Sequence, residues 1–116
     1  MTDNSQIIAH HNDTFRGHPS LAMNFGIEGK IIFTNPLMQY AEKDIEQIFE
    51  LVRRYYDFTE SNDPYGEHDF GNFTFQNKDF FWKIDYYDVN YEYGSPDPAD
   101  PNVTRRVLTI MHAEDY

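Results

Sequence analysis

The sequence predicts an α+β fold: an antiparallel β-sheet of about four strands, with one long helix packed on one face and a short N-terminal helix. Two observations carry this prediction. Aromatic rings alternate with polar residues in Asn72–Gln76 and again after Asn77-Lys78, which is typical of a β-hairpin. Between Ala41 and Tyr56 the apolar residues recur at helical spacing. The 116 residues, 40% of them hydrophobic, suffice for one domain with one core.

The N-terminal part of the chain contains weaker signals. Residues 1–6 are expected to be disordered and residues 7–116 to form a single α+β domain, with a short helix over Ser5–Arg16. Glycine and proline then interrupt the helical pattern. The apolar segment Leu21–Phe25 is predicted to be a strand or irregular, and Lys30–Thr34 is predicted to be a strand that Asn35-Pro36 ends.

The C-terminal half supplies the other strands. The second hairpin strand places Phe80, Trp82, Ile84 and Tyr86 on one face, so we expect Trp82 to be buried against the long helix. The helix residues available for that contact are Ile48, Phe49 and Val52. A proline-rich acidic loop follows at 94–101, and a last strand is predicted over Arg105–His112.

Charge and composition exclude several functional classes. The net charge is −11, and residues 57–100 hold eleven acids and two bases, a net of −9. Such a surface repels nucleic acid and anionic membrane and favours a basic partner, although solubility alone also explains acidity. There is no cysteine, no apolar run long enough to span a membrane and no signal peptide, so a soluble cytoplasmic protein is expected.

A polar turn at 62–69 holds the candidate chemistry. Its reactive group is His68, which could act as a general base or a metal ligand with nearby carboxylates. That alternative polar site comprises Asp13, Asp63, Glu67, His68 and Asp69. The same residues also suit a structural turn, with Gly66 at positive φ and His68 partly buried.

Three further histidines lie near the N-terminus. His10, His11 and His18 could join Asp13 and His68 in a metal site, but none of them has the i, i+4 spacing that places two ligands on one helical face. Solvated or capping histidines are the simpler interpretation. The sequence therefore predicts no catalytic residue, no metal and no cofactor, and Asn12-Asp13 with Arg16 could equally form a buried ion-pair and cap network.

A second candidate surface interleaves tyrosines with acids after residue 79. Tyrosines are common interface anchors, and spaced carboxylates can present charge as a series of phosphates does. The predicted partner-binding residues are Asp79, Asp85, Tyr87, Asp88, Tyr91, Glu92, Tyr93, Asp97 and Asp100. The alternative is a strand end whose rings complete the core while the acids are solvated.

Several long strings carry a resemblance. The segments 12–16 (NDTFR), 62–71 (NDPYGEHDFG), 80–88 (FFWKIDYYD), 93–101 (YGSPDPADP) and 104–111 (TRRVLTIM) resemble the bacterial domain of unknown function 3768 family. The resemblance implies a small stand-alone domain of mobile-element context, and it implies no catalytic residue.

Charge pattern and resemblance together suggest a function. The leading hypothesis is a non-enzymatic acidic interaction protein, in its sharper form an anti-CRISPR or anti-restriction inhibitor that occupies a basic nucleic-acid-binding surface of a host defence complex. It would bind no nucleic acid itself. The alternatives are a small metal-dependent or general-base enzyme centred on His68, and a structural or regulatory domain without such a partner.

Overall fold

The structure is a computed structural model that describes residues 4–116. Its helices are α1 (Asn4–Gly17), α2 (Pro19–Asn24) and α3 (Glu42–Arg53), and its strands are β1 (Glu28–Phe33), β2 (Phe70–Phe75), β3 (Lys78–Tyr87) and β4 (Arg105–His112). Three short 3₁₀ helices, η1 (Asn35–Gln39), η2 (Pro101–Val103) and η3 (Ala113–Asp115), complete the described part. The α+β class is therefore confirmed.

The four strands form one sheet in the order β1-β4-β3-β2. The β2–β3 and β3–β4 pairs are antiparallel, but β1 pairs with β4 in parallel. The expectation of an antiparallel sheet is thus wrong for one pair of strands. Hydrophobic periodicity identifies a strand and its buried face but says nothing about its direction, which the path of the intervening chain determines.

The core lies on the face of the sheet that Phe80, Trp82 and Ile84 share. Trp82 is fully buried, as predicted, in one hydrophobic cluster with Ile48 and Val52 of α3. Gly71 of β2 lies opposite Trp82, and a β-carbon there would collide with the indole. The glycine therefore makes room for the largest side chain of the core.

Several boundaries differ from the sequence predictions. Helix α1 begins at Asn4, so residues 4–6 are helical rather than disordered, whereas residues 1–3 lie outside the described part. The segment around Leu21 is the short helix α2, which begins at Pro19 because proline suits a first helical position. The long helix ends at Arg53 rather than Tyr56. Nowhere in residues 4–116 does a helix combine the length and apolar character needed to cross a membrane.

The hairpin turn lies one residue earlier than predicted. Its central residues are Gln76 and Asn77, with φ values of 51° and 65°, and β3 begins at Lys78. Both central positions of a type I′ turn need positive φ, and this turn type fits the twist of a hairpin. The faces of both strands are unchanged, because the shift affects the turn and not the alternation.

The two ends of the sheet are chemically different. The polar turn 62–69 leads into β2, and the loop 88–104 joins β3 to β4, so both lie at the same end, which we term the loop end. The opposite end carries the Gln76–Asn77 turn and the last residue of β4, His112, and we term it the hairpin end.

Candidate functional site

The polar turn brings three of its candidate residues together. Nδ1 of His68 lies 3.0 Å from both carboxylate oxygens of Asp13 in α1, and Nε2 lies 3.7 Å from Oδ2 of Asp63. The imidazole also stacks on the ring of Phe58, with centroids 4.0 Å apart. Nδ1 is therefore engaged by Asp13, while Nε2 faces the Asp63 carboxylate beyond hydrogen-bond distance.

The backbone of the turn is also fixed by specific contacts. His68 has a φ of 56°, and its N–H donates to Oδ1 of Asp63 at 3.1 Å. Gly66 has a φ of 70°, as the sequence predicted for a turn at this position. A positive φ is unfavourable for a non-glycine residue, so the contacts with Asp13, Asp63 and Phe58 stabilise a strained conformation.

Glu67 and Asp69, the other two candidates, lie in different environments. Oε1 of Glu67 accepts a hydrogen bond from the hydroxyl of Tyr86 at 2.9 Å. Burial raises the pKa of the Asp69 carboxyl, and the charge of Glu67 raises it further. Asp13, Asp63 and His68 are therefore in contact, while Asp69 is linked to Glu67 and Asp63 through their charges.

A buried polar network lies beside the turn, and most of its contacts were not predicted from the sequence. Nδ2 of Asn12 donates to the Tyr86 hydroxyl at 2.8 Å and to the carbonyl of Glu67 at 2.9 Å, while its Oδ1 accepts from Nε of Arg106 at 2.7 Å. Asn12 and Arg106 are fully buried, and burial lowers the pKa of Arg106. One feature of the sequence could have indicated that Arg106 is buried. It lies two residues before Leu108 in the last strand, so both side chains are on the core face.

Arg16 joins α1 to the end of α3. Its Nη2 lies 2.8 Å from Oδ1 of Asp13, and its Nη1 donates to the carbonyls of Val52 and Tyr55, each at 2.9 Å. The last carbonyls of a helix have no partner within the helix, so a guanidinium satisfies them well. Asp13 and Arg16 therefore form the ion-pair and cap network that the sequence allowed. The carboxylate of Asp13 also contacts His68.

Three of the six acids in the predicted partner-binding set organise the loop end. Oδ1 of Asp88 accepts the N–H groups of Asn90 and Glu92, both at 3.1 Å. Asp97 and Asp100 accept a backbone N–H in the same way, from Ala99 at 3.1 Å and from Asn102 at 2.9 Å. Such carboxylate-to-amide bonds fix a loop conformation.

The other acids of the set differ in position. Asp85 forms an ion pair with Lys83 at 3.0 Å, and Glu92 is exposed at the loop end. Asp79 lies at the hairpin end, where its carboxylate accepts from the hydroxyl of Thr74 at 3.0 Å. The structure therefore does not bring Asp79 onto the surface that the other acids share.

The three tyrosines of the set also separate. Tyr93 is 73% exposed, while Tyr87 and Tyr91 are half-buried. The ammonium of Lys30 lies 4.0 Å from the ring centroid of Tyr91, within cation–π range. Tyr93 is therefore the most exposed tyrosine of the set.

The cations near the loop end are already engaged. Lys83 pairs with Asp85, and Nε of Arg105 lies 3.1 Å from Glu28. Lys30 covers the ring of Tyr91, and Arg106 is buried. The loop acids therefore face solvent, and each of these four basic residues already has another contact or is buried.

The matched family spans most of this architecture. A family described as a protein of unknown function, DUF3768, matches residues 33–115. The chain belongs to the DUF3768 family. The matched region contains α3 and the strands β2 to β4, with the polar turn and the acidic loop, while α1 precedes it. No curated protein and no solved structure matches the chain.

The N-terminal histidines of this DUF3768 member do not join His68. The rings of His10 and His11 lie 6.2 Å apart in α1, and His18 precedes α2. Burial lowers the pKa of His11, and the nearby charge of Arg106 lowers it further. In the part of the chain that the structure describes, no three histidine, aspartate or glutamate side chains are placed to hold a metal ion.

Proposed function

We propose that this DUF3768 protein is a non-enzymatic acidic interaction module that binds a basic protein or ribonucleoprotein surface through its loop end. The observation that supports it is the charge distribution. The fold gathers the polar turn and the loop 88–104 at one end of the sheet, where Lys83 and Arg105 are ion-paired, Lys30 lies over the ring of Tyr91 and Arg106 is buried. An unneutralised acidic surface attracts basic partners over long range.

Preorganisation of the loop supports the same proposal. The N–H of Asp88 donates to the carbonyl of Tyr93 at 2.8 Å, which closes the segment 88–93, and the Asp88 carboxylate holds two amides inside it. A loop fixed before binding loses little conformational entropy in the complex. Exposed Tyr93 then supplies the kind of aromatic anchor that dominates many interfaces.

The sharper form of the proposal concerns the partner. A basic channel that normally holds nucleic acid would accept the loop carboxylates in place of phosphates, as expected for an anti-CRISPR or anti-restriction inhibitor. Such a channel needs closely spaced negative charge on a rigid support, and Asp88, Glu92, Asp97 and Asp100 offer it within one loop. DNA or RNA should then compete with the protein for the same site.

Affinity capture from a bacterial host lysate, with mass spectrometry of the retained proteins, would identify a partner. Association and dissociation rates should then be measured at increasing salt for the native protein and two variants. Glu92→Lys should slow association by roughly ten-fold at low salt, because exposed charges mainly steer encounter. Asp79→Lys makes the same change of charge at the hairpin end and should have a much smaller effect.

Three results would contradict the proposal. They are association that ignores salt, equal effects of Glu92→Lys and Asp79→Lys, and capture of no basic partner. A complex that forms normally in the presence of excess nucleic acid would contradict only the inhibitor form, because that form requires a shared site.

The enzyme alternative depends on one observation, the contact between Asp13 and His68. In that alternative His68 would detach from one carboxylate and act as a base. We instead expect His68→Ala to lower the thermal stability, since it removes an ion pair and a stacked ring. A variant that keeps its melting temperature but loses cellular function would favour the enzyme.

A further inference from the structure

A cleft of about 450 Å³ lies at the hairpin end, away from the loop end and the polar turn. It is built from η1, the hairpin turn, the start of β3 and the chain that follows β4. Its lining residues are Pro36, Gln39, Tyr40, Gln76, Lys78, His112 and Glu114. Pockets with a few convergent polar groups are the usual places at which proteins bind small molecules.

His112 is the central polar group of the cleft. It is only 7% exposed, and its ring packs between Tyr40 and Phe80, with centroid distances of 5.7 and 4.7 Å. Neither ring nitrogen has a hydrogen-bond partner within residues 4–116. Both nitrogens are accessible to solvent in the cleft rather than buried without a partner, so a group that enters from outside can form hydrogen bonds with them.

Two opposite charges line the same cleft without pairing. Lys78 and Glu114 make no ion pair within 4.0 Å, either with each other or with another group of the described chain. The other lysine of the hairpin, Lys83, does have an acid partner, at 3.0 Å. The hydroxyl of Tyr40 also lacks a hydrogen bond among the described residues. The cleft thus offers a cation, an anion and two neutral hydrogen-bonding groups over an aromatic wall.

We propose that this cleft binds a small zwitterion of the free α-amino acid class. The ligand carboxylate pairs with Lys78, its ammonium pairs with Glu114, and His112 and Tyr40 hydrogen-bond to its polar atoms. The rings of Tyr40 and His112 contact its side chain. A simple anion would be repelled by Glu114 and a simple amine by Lys78, so a ligand with both charges fits best. The site is separate from the loop end and does not depend on the partner proposed there.

Nuclear magnetic resonance of the imidazole groups tests this proposal directly. The full chain, labelled in its histidines, would be titrated with each common amino acid to about 10 mM, since small ligands of this kind bind with micromolar to millimolar Kd. We expect at least one amino acid to shift the His112 resonances in a saturable way, while those of exposed His18 stay unchanged. His112→Gln assigns the signals.

Matched analogues and variants separate zwitterion binding from weaker alternatives. The analogues of the bound amino acid that lack the ammonium or the carboxylate should bind at least about ten-fold more weakly. Lys78→Gln and Glu114→Gln, which change exposed side chains, should each weaken binding by about ten-fold and leave the melting temperature unchanged. Lys30→Gln and Glu60→Gln make the same changes away from the cleft and should bind as the native protein does.

The proposal is overturned if no amino acid shifts the His112 resonances at about 10 mM. It is also overturned if either analogue binds as tightly as the amino acid, or if Lys78→Gln and Glu114→Gln bind normally. These variants keep the test independent of His112→Gln, whose buried substitution can affect folding.

Discussion

At the scale of single residues, Trp82 is the point at which α1, the segment after α3 and the sheet meet. The guanidinium of Arg16 lies 4.8 Å from its ring, and the rings of Tyr55 and Phe58 contact it edge-on at 5.5 and 6.1 Å. Arg16 comes from α1 and Tyr55 from the segment that follows α3, while Trp82 itself belongs to the sheet. One side chain therefore couples the helices to the hairpin.

Trp82→Ala should lower the free energy of unfolding by about 3–5 kcal/mol, because it leaves a cavity and removes the ring contacts of a fully buried residue. Urea unfolding monitored by circular dichroism measures the change. Tyr65→Ala removes an exposed ring and should stay within about 0.5 kcal/mol of the native protein. Similar stability of the two variants would show that the indole does not support the core.

Tyr86 should limit stability at alkaline pH. Burial raises the pKa of its hydroxyl above the usual value of 10, with the nearby charges of Glu67 and Asp69 adding to the effect. The unfolded chain releases this proton near pH 10, whereas the folded chain retains it. The stability contribution of Tyr86 is therefore fully present below pH 10 and falls as the pH rises beyond it.

Tyr86→Phe tests this linkage. At pH 8 the variant should be less stable by about 1–2 kcal/mol, because the hydrogen bonds with Asn12 and Glu67 are lost. The gap between the two proteins should narrow from pH 9 to pH 11, as measured by urea unfolding at each pH. A constant gap across this range would mean that Tyr86 loses its proton in the folded state as readily as in the unfolded chain.

At the scale of elements, the hairpin turn offers the clearest agreement between residue type and conformation. Asn77 has a φ of 65°, which asparagine tolerates and glycine adopts freely. Gln76 shares the positive φ, and its side chain reaches Oδ1 of Asp44 in α3 at 3.4 Å. Turn conformation and a contact with the helix together fix the register of β2 and β3.

Asn77→Gly should raise the free energy of unfolding by about 0.5 kcal/mol, since glycine suits the second central position of a type I′ turn best. Thermal and urea unfolding would both detect it. Asn90→Gly is the matched control: Asn90 is an exposed loop asparagine without positive φ, so its replacement should give no gain. A stabilisation of the same size at both positions would refute the turn assignment.

Local patterns explain why some elements were predictable and others were not. The alternation of aromatic rings identified β2 and β3, and the limits of β4 were predicted correctly. Both succeeded because the alternation typical of a strand is visible within a few neighbouring residues of the sequence. The direction of β1 and the contact of Asp13 with His68, 55 residues apart, depend on the folded path of the chain. His112 was recognised only as the end of a strand, because its lack of a partner is visible only in three dimensions.

At the scale of the whole molecule, the net charge of −11 acts against the compact state. The acids at the loop end repel one another because few free cations lie among them. Salt screens such repulsion, since the Debye length falls from about 30 Å at 0.01 M to about 10 Å at 0.1 M ionic strength. The same charge that attracts a basic partner therefore lowers the stability of the free protein.

Raising sodium chloride from about 0.01 M to 0.1 M at pH 7 should increase the melting temperature by roughly 3–6 °C, equivalent to nearly 1 kcal/mol of relieved repulsion. Differential scanning calorimetry provides the measurement. Near the pI of about 4.6 the net charge vanishes, so the same salt step should have little effect. A melting temperature that stays constant or falls at pH 7 would show that repulsion is not a significant part of the energetics.

The parallel pairing of β1 with β4 has a consequence for synthesis on the ribosome. Glu28 pairs with Arg105 and Phe33 with Ile110. Strand β1, which leaves the ribosome first, therefore cannot pair until β4 has been synthesised. During that interval α1 also lacks Arg106, the partner of Asn12, and contacts of such large sequence separation form slowly. The segment from α1 to β1 therefore stays open to proteases and chaperones until β4 has emerged.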